Sequence, residues 1–213
     1  MILDIKNMKS WAHFLLTYKF ALDEVGTKLQ ILNEEFQFIH DYNPIEHMKT
    51  RIKSAESIAA KLKRKNLEIT MDNTRSYIRD IAGIRIICSF STDIYRIYDM
   101  ICSQNDVRVV QTKDYIKHPK PNGYQSLHLI IQIPVFLTNR IEHVPVEIQI
   151  RTVAMDFWAS LEHKIYYKYN EGVPAEIRQE LKDTADLIAS LDARMLALNN
   201  EVQSQKALVK PEA

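Results

Sequence analysis

The apolar period of this chain changes twice, and that change constrains the fold more than any single residue does. Apolar side chains first recur at steps of three and four: Trp11, Phe14, Tyr18, Leu22, Val25, Leu29, Leu32, Phe36 and Ile39. Such a stripe is one face of a long α-helix, with the narrow 3.5-residue repeat suited to packing against one partner helix. The pattern returns at Leu181, Thr184, Ile188, Leu191, Met195, Leu198 and Val202, with Pro174 near the first turn, where a missing N–H costs little. Between these segments the period shortens to two. Leu127, Leu129, Ile131 and Ile133 alternate with His128, Ile130 and Gln132, and Val144, Val146, Ile148 and Ile150 alternate with Pro145, Glu147, Gln149 and Arg151. Both runs predict strands, the first closed by Pro134.

Local signals supply the remaining elements. Pro44 ends the first helix, and the stretch from Ile45 to Lys53 reads as an edge strand. Ser54 can cap a helix reaching Lys65. The apolar run from Ile84 to Phe90 behind Gly83 reads as a buried strand, followed by a helix over 93–105 and a strand over 107–112. A further helix is expected over 153–170. Strands interleaved with helices predict an α+β fold, a mixed β-sheet flanked by helices with long N- and C-terminal helices. The expected organisation is one unit: a helix over 1–43, a core over 44–170, a helix over 174–205 and a fraying tail over 206–213. The terminal helices either pack on the core or form a subunit interface, and the second use implies a homo-oligomer.

Charge excludes some function classes. The 213 residues carry 28 Lys+Arg against 27 Asp+Glu, a net charge of +1, so bulk attraction to nucleic acid or a membrane surface is not expected. No apolar run reaches the roughly 20 residues that span a bilayer, and the start lacks a signal-peptide layout. A cytoplasmic protein with Cys88 and Cys102 as thiols is the expectation.

Four constellations carry chemistry. Arg51 and Lys53, two apart on a strand, point the same way, and Ser57 and Lys61 share a helix face. Together they can grip a triphosphate, although an isolated basic run can equally be a solvated face. Asp80, before the small-residue turn Ala82-Gly83, stands where its carboxylate can hold Mg²⁺ or pair with Arg85. The segment from Asp114 to His128 interleaves Tyr115, Lys120, Asn122, Tyr124 and His128, as a loop that stacks on a base and contacts phosphates would. Glu147, Gln149 and Arg151 share the polar face of an otherwise apolar strand. Downstream, Trp158 and Glu162 are expected to support the site by packing. His40-Asp41 is expected at a helix end rather than in a metal cluster.

In this order the motifs resemble the small alarmone synthetases of RelA/SpoT type: Arg51 and Lys53 with Ser57, Asp80 to Arg85, Asp114-Tyr115 with Asn122 to His128, Glu147 to Thr152, and Trp158 to His163. The resemblance implies a nucleotidyltransferase-like fold assembled as a homotetramer through the terminal helices. It implies transfer of pyrophosphate from ATP to the ribose 3′-hydroxyl of GDP or GTP, with Mg²⁺ as cofactor and no hydrolase domain. It assigns Arg51, Lys53, Ser57, Lys61 and Arg85 to ATP, and Lys120, Asn122, Tyr124, His128 and Gln149 to GDP or GTP. Asp80 and Glu147 become the catalytic, metal-associated carboxylates. Certain small members bind product along the first helix; Gly26, Gln30, Asn33 and His47 here, with Asp156, argue against product activation. Alternatives are another 3′-hydroxyl acceptor, such as an adenosine nucleotide or a tRNA end, and a non-catalytic nucleotide or RNA sensor.

Overall fold

The computed structural model describes residues 5–167 and 173–209. Its elements, in chain order, are α1 (Ile5–His40), β1 (Ile45–Ile52), α2 (Ala55–Arg64), α3 (Met71–Tyr77), β2 (Ala82–Cys88), α4 (Ser91–Cys102), β3 (Arg108–Asp114), β4 (Leu127–Phe136), β5 (Ile141–Thr152), α5 (Val153–Tyr167) and α6 (Ala175–Val209). The strands form one sheet in the order β1-β2-β5-β4-β3. Only β2 and β5 run parallel; every other pair is antiparallel.

The period-2 alternation gives the sheet two unlike faces. Ile84 and Ile86 of β2, Val146, Ile148 and Ile150 of β5, and Leu127, Leu129 and Ile131 of β4 are all buried in one core. Helix α1 covers that face with Phe14, Tyr18, Ala21, Leu22, Val25 and Leu29, and α4 adds Ile94, Ile97 and Ile101. Of the uses left open for the terminal helices, the α1 stripe as far as Leu29 takes the first, packing on the core. A strand set with one apolar face needs a cover, and α1 and α4 supply it together. Past Leu29 the stripe overruns the sheet, leaving Phe38 92 % and Ile39 62 % exposed.

Helix α6 divides similarly. Leu181 and Ala185 bury against Trp158 and Ala159 of α5, whereas Leu187, Leu191, Met195, Leu198 and Val202 stay about half or more exposed. The helix runs on to Val209, four residues past the expected end at 205. Residues 203–209 contain neither Gly nor Pro, and helix continues on propensity without an apolar stripe. The expected positions 168–170 and 210–213 lie outside the described residues.

Three local readings also change. Pro134 sits inside β4, opposite His143 of β5. Pairing with β3 stops at Gln132, so on that side the strand has become an edge where a proline N–H is not missed. Lys53 falls just past β1, although its N–H still donates to the Ile81 carbonyl at 2.8 Å. Helix α3, which no apolar period announces, starts where the Thr70 side chain accepts from the Asn73 N–H at 3.1 Å. Ser54 caps α2 as expected, accepting from the Ser57 N–H at 3.3 Å. Among the described residues no helix is long and apolar enough to cross a membrane, and Cys88 and Cys102 are free thiols.

Ile148, fully buried at the centre of the sheet, is the position where a cavity costs most. Ile148→Ala is expected to destabilise the fold by about 2–5 kcal/mol, read from the midpoint of urea unfolding.

Candidate active site

The second sheet face is open and charged, and strand register writes it as two rows. One row runs Arg51, Gly83, Glu147, Ile130 and Gln111 across β1, β2, β5, β4 and β3; the next runs Lys49, Arg85, Gln149, His128 and Lys113. A cleft of about 220 Å³ opens over the first three strands, lined by Lys49, Arg51, Gly83, Arg85, Glu147 and Gln149. Gly83 leaves room for Arg51, whose Cγ and Nε would touch an added Cβ at 3.5 Å. A larger groove of about 940 Å³ lies between the end of α1, the start of α4 and distal α6. Its charged pair is self-satisfied, Arg96 donating to the buried Asp93 at 3.0 Å, so the smaller charged cleft is the candidate site.

Ahead of β2, Asp80 pairs with Lys61 at 2.8 Å and Lys53 at 3.0 Å. Burial pushes its carboxyl up, but the hydrogen bonds and charges of the two lysines outweigh burial and hold it below the usual carboxylate range. Asp80 is thus ionised near neutral pH. The Asp80–Arg85 pair that the residues alone left open does not form: Arg85 donates instead to Asp156 at 3.2 Å. Ser57 is exposed on the first turn of α2, its Oγ accepting from Ser54 Oγ at 3.1 Å.

The other end of the site is built by the loop before β4. Gly123, at φ +87°, packs so closely on α6 that an added Cβ would lie 2.4 Å from Ala185 Cβ. Asn122 closes the turn by accepting from the Tyr124 N–H at 3.2 Å and donates to Glu162 of α5 at 3.0 Å. Trp158 anchors α5 to α6 through Nε1 to the Leu181 carbonyl at 3.0 Å, the supporting role expected of it. The Tyr124 ring lies 4.6 Å from Lys120 Nζ and 5.0 Å from the Arg151 guanidinium, with Tyr115 and His128 edge-on. An aromatic flanked by cations suits a base bearing phosphates.

Hydrogen bonds carry this end towards Glu147. Arg151 donates to Tyr124 Oη at 2.5 Å and to Gln149 Oε1 at 3.2 Å, and Gln149 donates to Glu147 Oε2 at 3.0 Å. Because Arg is only a donor, the Tyr124 hydroxyl proton is free for His128 Nε2, 2.7 Å away. His128 then carries its proton on Nδ1, 4.0 Å from Glu147 Oε1. Burial first, then the charges of Arg151, Lys120 and Lys113, depress the His128 pKa to about 3, so this contact is not an ion pair at neutral pH.

Arg151 and Asp156 were not among the residues that the motifs assigned to a ligand. Arg151 showed itself only as the third polar residue of β5; its side chain is 5 % exposed, and its partners include Tyr124 of the loop before β4 and Asp156 of α5.

For a divalent cation, the donor set is two carboxylates. Asp80 Oδ1 is buried without a hydrogen-bond partner, while Glu147 stands beside Gly83 on the neighbouring strand. Asp80 precedes Gly83 by three positions, roughly 10 Å of chain at ordinary strand rise. No cluster of three or more His, Cys, Asp or Glu suited to a metal occurs among the described residues. Carboxylates of this kind are what Mg²⁺ takes, few in number, with its shell completed by water and substrate phosphates.

Residues 50–172 match the family described as the region found in RelA/SpoT proteins. The chain belongs to the RelA/SpoT family. Within that family it is 56 % identical over 200 residues to the GTP pyrophosphokinase YwaC of Bacillus subtilis, covering 93 % of this chain and 95 % of that one. It superposes on small alarmone synthetase 1 of Bacillus subtilis bound to its product pppGpp with a TM-score of 0.84, at 36 % identity, covering 92 % of this chain and 99 % of that one. The same synthetase bound to AMPCPP gives 0.76 at 35 % identity, covering 92 % and 99 %. The RelA/SpoT match spans β1 to α5 and so contains every motif residue of the cleft.

The unfolded chain takes up a proton on the His128 ring as pH drops through about 6.5, whereas the folded protein refuses it until about 3. Acidification from 6.5 therefore removes stability, on the order of 2 kcal/mol by pH 5 from this ring. His128→Gln is expected to flatten that part of the pH–stability curve, measured by urea unfolding between pH 7 and 5.

Proposed function

We propose that this chain transfers the pyrophosphoryl group of ATP to the ribose 3′-hydroxyl of GDP or GTP, releasing AMP. The observation that carries the reading is Glu147, a carboxylate in the middle of a cationic sheet face, between a lysine- and arginine-lined cleft and an aromatic loop. Membership of the RelA/SpoT family and the names of the relatives above support it.

In this reading Arg51, Arg85, Lys53 and Lys61 hold the ATP phosphates, the two lysines exchanging part of their contact with Asp80 for phosphate oxygens. Ser57, at the start of α2, adds a hydroxyl to the same side. The acceptor base stacks on Tyr124, displacing Lys120 towards the phosphates, with Asn122, His128 and Gln149 around it. The 3′-oxygen attacks the β-phosphorus, the bond from that phosphorus to the α–β bridging oxygen breaks, and AMP leaves with the electron pair. Glu147 accepts the hydroxyl proton. Mg²⁺, held by Asp80 and Glu147, would supply charge neutralisation on the phosphates, the largest demand in phosphoryl-type transfer. The residues contribute alignment, which is worth several powers of ten in rate.

The test is direct. Protein with ATP, Mg²⁺ and GDP or GTP should yield AMP and a 3′-pyrophosphorylated guanosine nucleotide in equal amounts, separated by ion exchange. Glu147→Gln and Asp80→Asn should each lower kcat by about 10²-fold or more with the melting temperature held. Variants at wild-type rate would remove their roles, and product only from an adenosine or tRNA acceptor would move the reading to another 3′-hydroxyl.

We also infer a cytoplasmic homotetramer assembled through the terminal helices. Leu191, Met195 and Leu198 are 51–56 % exposed in one line on α6, a surface that water alone covers poorly. Light scattering is expected to give four subunits for the wild type and fewer for the double variant Leu191→Glu/Leu198→Glu; a wild-type monomer at high concentration would refute the assembly.

A further inference from the structure

A single carboxylate oxygen joins the two ends of the cleft. Asp156 Oδ1 accepts from Arg85 Nη1 at 3.2 Å and from Arg151 Nη1 at 3.0 Å. Arg85 belongs to the end proposed for ATP, and Arg151 to the end proposed for the acceptor, through Tyr124 Oη and Gln149. We propose that Asp156 is a positioning residue that holds the donor-side Arg85 and the acceptor-side Arg151 in one fixed relation, so that the two substrates meet in line. The inference rests on the assignment of the two ends given above.

Three observations carry it. Geometry comes first: without the shared oxygen the two guanidiniums face each other unscreened. Both are on neighbouring strands, Arg85 opposite Gln149 and Arg151 opposite Ile87. Burial comes second. The Arg151 side chain is 5 % exposed and its Nε has no partner, so Asp156 is its only ion-pair partner among the described residues. Third, burial, Arg151 and Arg51 all weaken the hold of Arg85 on its proton, and Asp156 opposes them.

The position of Asp156 explains why it can serve both strands. It lies in the first turn of α5, which leaves β5 directly after Thr152. Thr152 fixes that turn twice, its Oγ1 accepting from the Met155 N–H at 3.1 Å and donating to Asp192 of α6 at 2.8 Å. The carboxylate is thereby carried on a rigid helix start. A nucleotide phosphate drawing on Arg85 is then felt by Arg151, and through it by Tyr124. Such a linkage belongs to alignment, in which small misplacements cost large factors in rate.

The experiment compares the wild type with Asp156→Asn, which keeps an acceptor oxygen but not the charge, and Asp156→Ala, which keeps neither. Expected is a kcat lower by about tenfold or more for the alanine variant, with the asparagine variant in between, while the KM for ATP and the KM for the guanosine nucleotide both rise. Nitrogen-15 spectra of the arginine side chains give a readout free of catalysis. Slow rotation of the Arg85 and Arg151 guanidinium groups in the wild type should become fast in the alanine variant. If the alanine variant does not fold, the asparagine variant alone decides, by the same rates and spectra. Variants with wild-type kcat, both KM values unchanged and both arginines still restricted would overturn the proposal. A lowered melting temperature with unchanged kinetics would also overturn it, leaving Asp156 a structural residue. If the wild type itself makes no pyrophosphorylated product, the proposed function fails instead, and the arginine spectra still report on the bridge.

Discussion

Everything at the candidate site depends on one constraint, the strict alternation of β5 at the centre of the sheet. Val146, Ile148 and Ile150 go into the core beneath α1, and Glu147, Gln149 and Arg151 are thereby forced onto the opposite face. A one-residue slip would exchange the sets, taking three apolar side chains out of the core and putting a carboxylate and a guanidinium into it. The energy that fixes the register of β5 is hydrophobic, yet what it fixes is electrostatic: a carboxylate set among cations contributed by β1, β2 and β3. Core and chemistry are two faces of the same pattern.

The helices then close the two ends. Helix α2, capped by Ser54, brings Lys61 to Asp80. Helices α5 and α6 seat the acceptor loop through Glu162 and Ala185. Gly123 is required twice at that seat, by its left-handed backbone and by the absence of room for a side chain. The half of α6 that backs the loop buries Leu181 and Ala185, and the half beyond it carries an apolar line facing outward, so one helix serves both the site and the surface proposed for assembly.

Much of this was legible in the sequence because it is written in periods. The strands at 127 and 144, the long terminal helices and the cap at Ser54 follow from local spacing. What local spacing could not show is which partner covers a face: the α1 stripe left core and subunit interface both open, and the structure puts it on the sheet as far as Leu29. Helix α3 escaped notice because its seven residues bury only Thr74 and so leave no apolar period. In the site, alternation along β5 put Glu147 and Gln149 on one face. The bridge from Arg85 through Asp156 to Arg151 was not legible, because it needs residues 71 apart in the chain to share one oxygen. Likewise, the pairing of Asp80 with two lysines joins Lys53 just past β1 and Lys61 of α2 to a residue ahead of β2, which no motif states.

The central claim is that the open sheet face aligns two nucleotides across Glu147. It is tested most directly by a crystal structure of the protein with a non-hydrolysable ATP analogue, GDP and Mg²⁺. The account predicts the analogue's phosphates on Arg51 and Arg85, the guanine on Tyr124, and the 3′-oxygen beside Glu147 within about 3.5 Å of the β-phosphorus. Both nucleotides bound elsewhere, for example in the groove between Phe36 and Gln203 with Glu147 uncontacted, would contradict it.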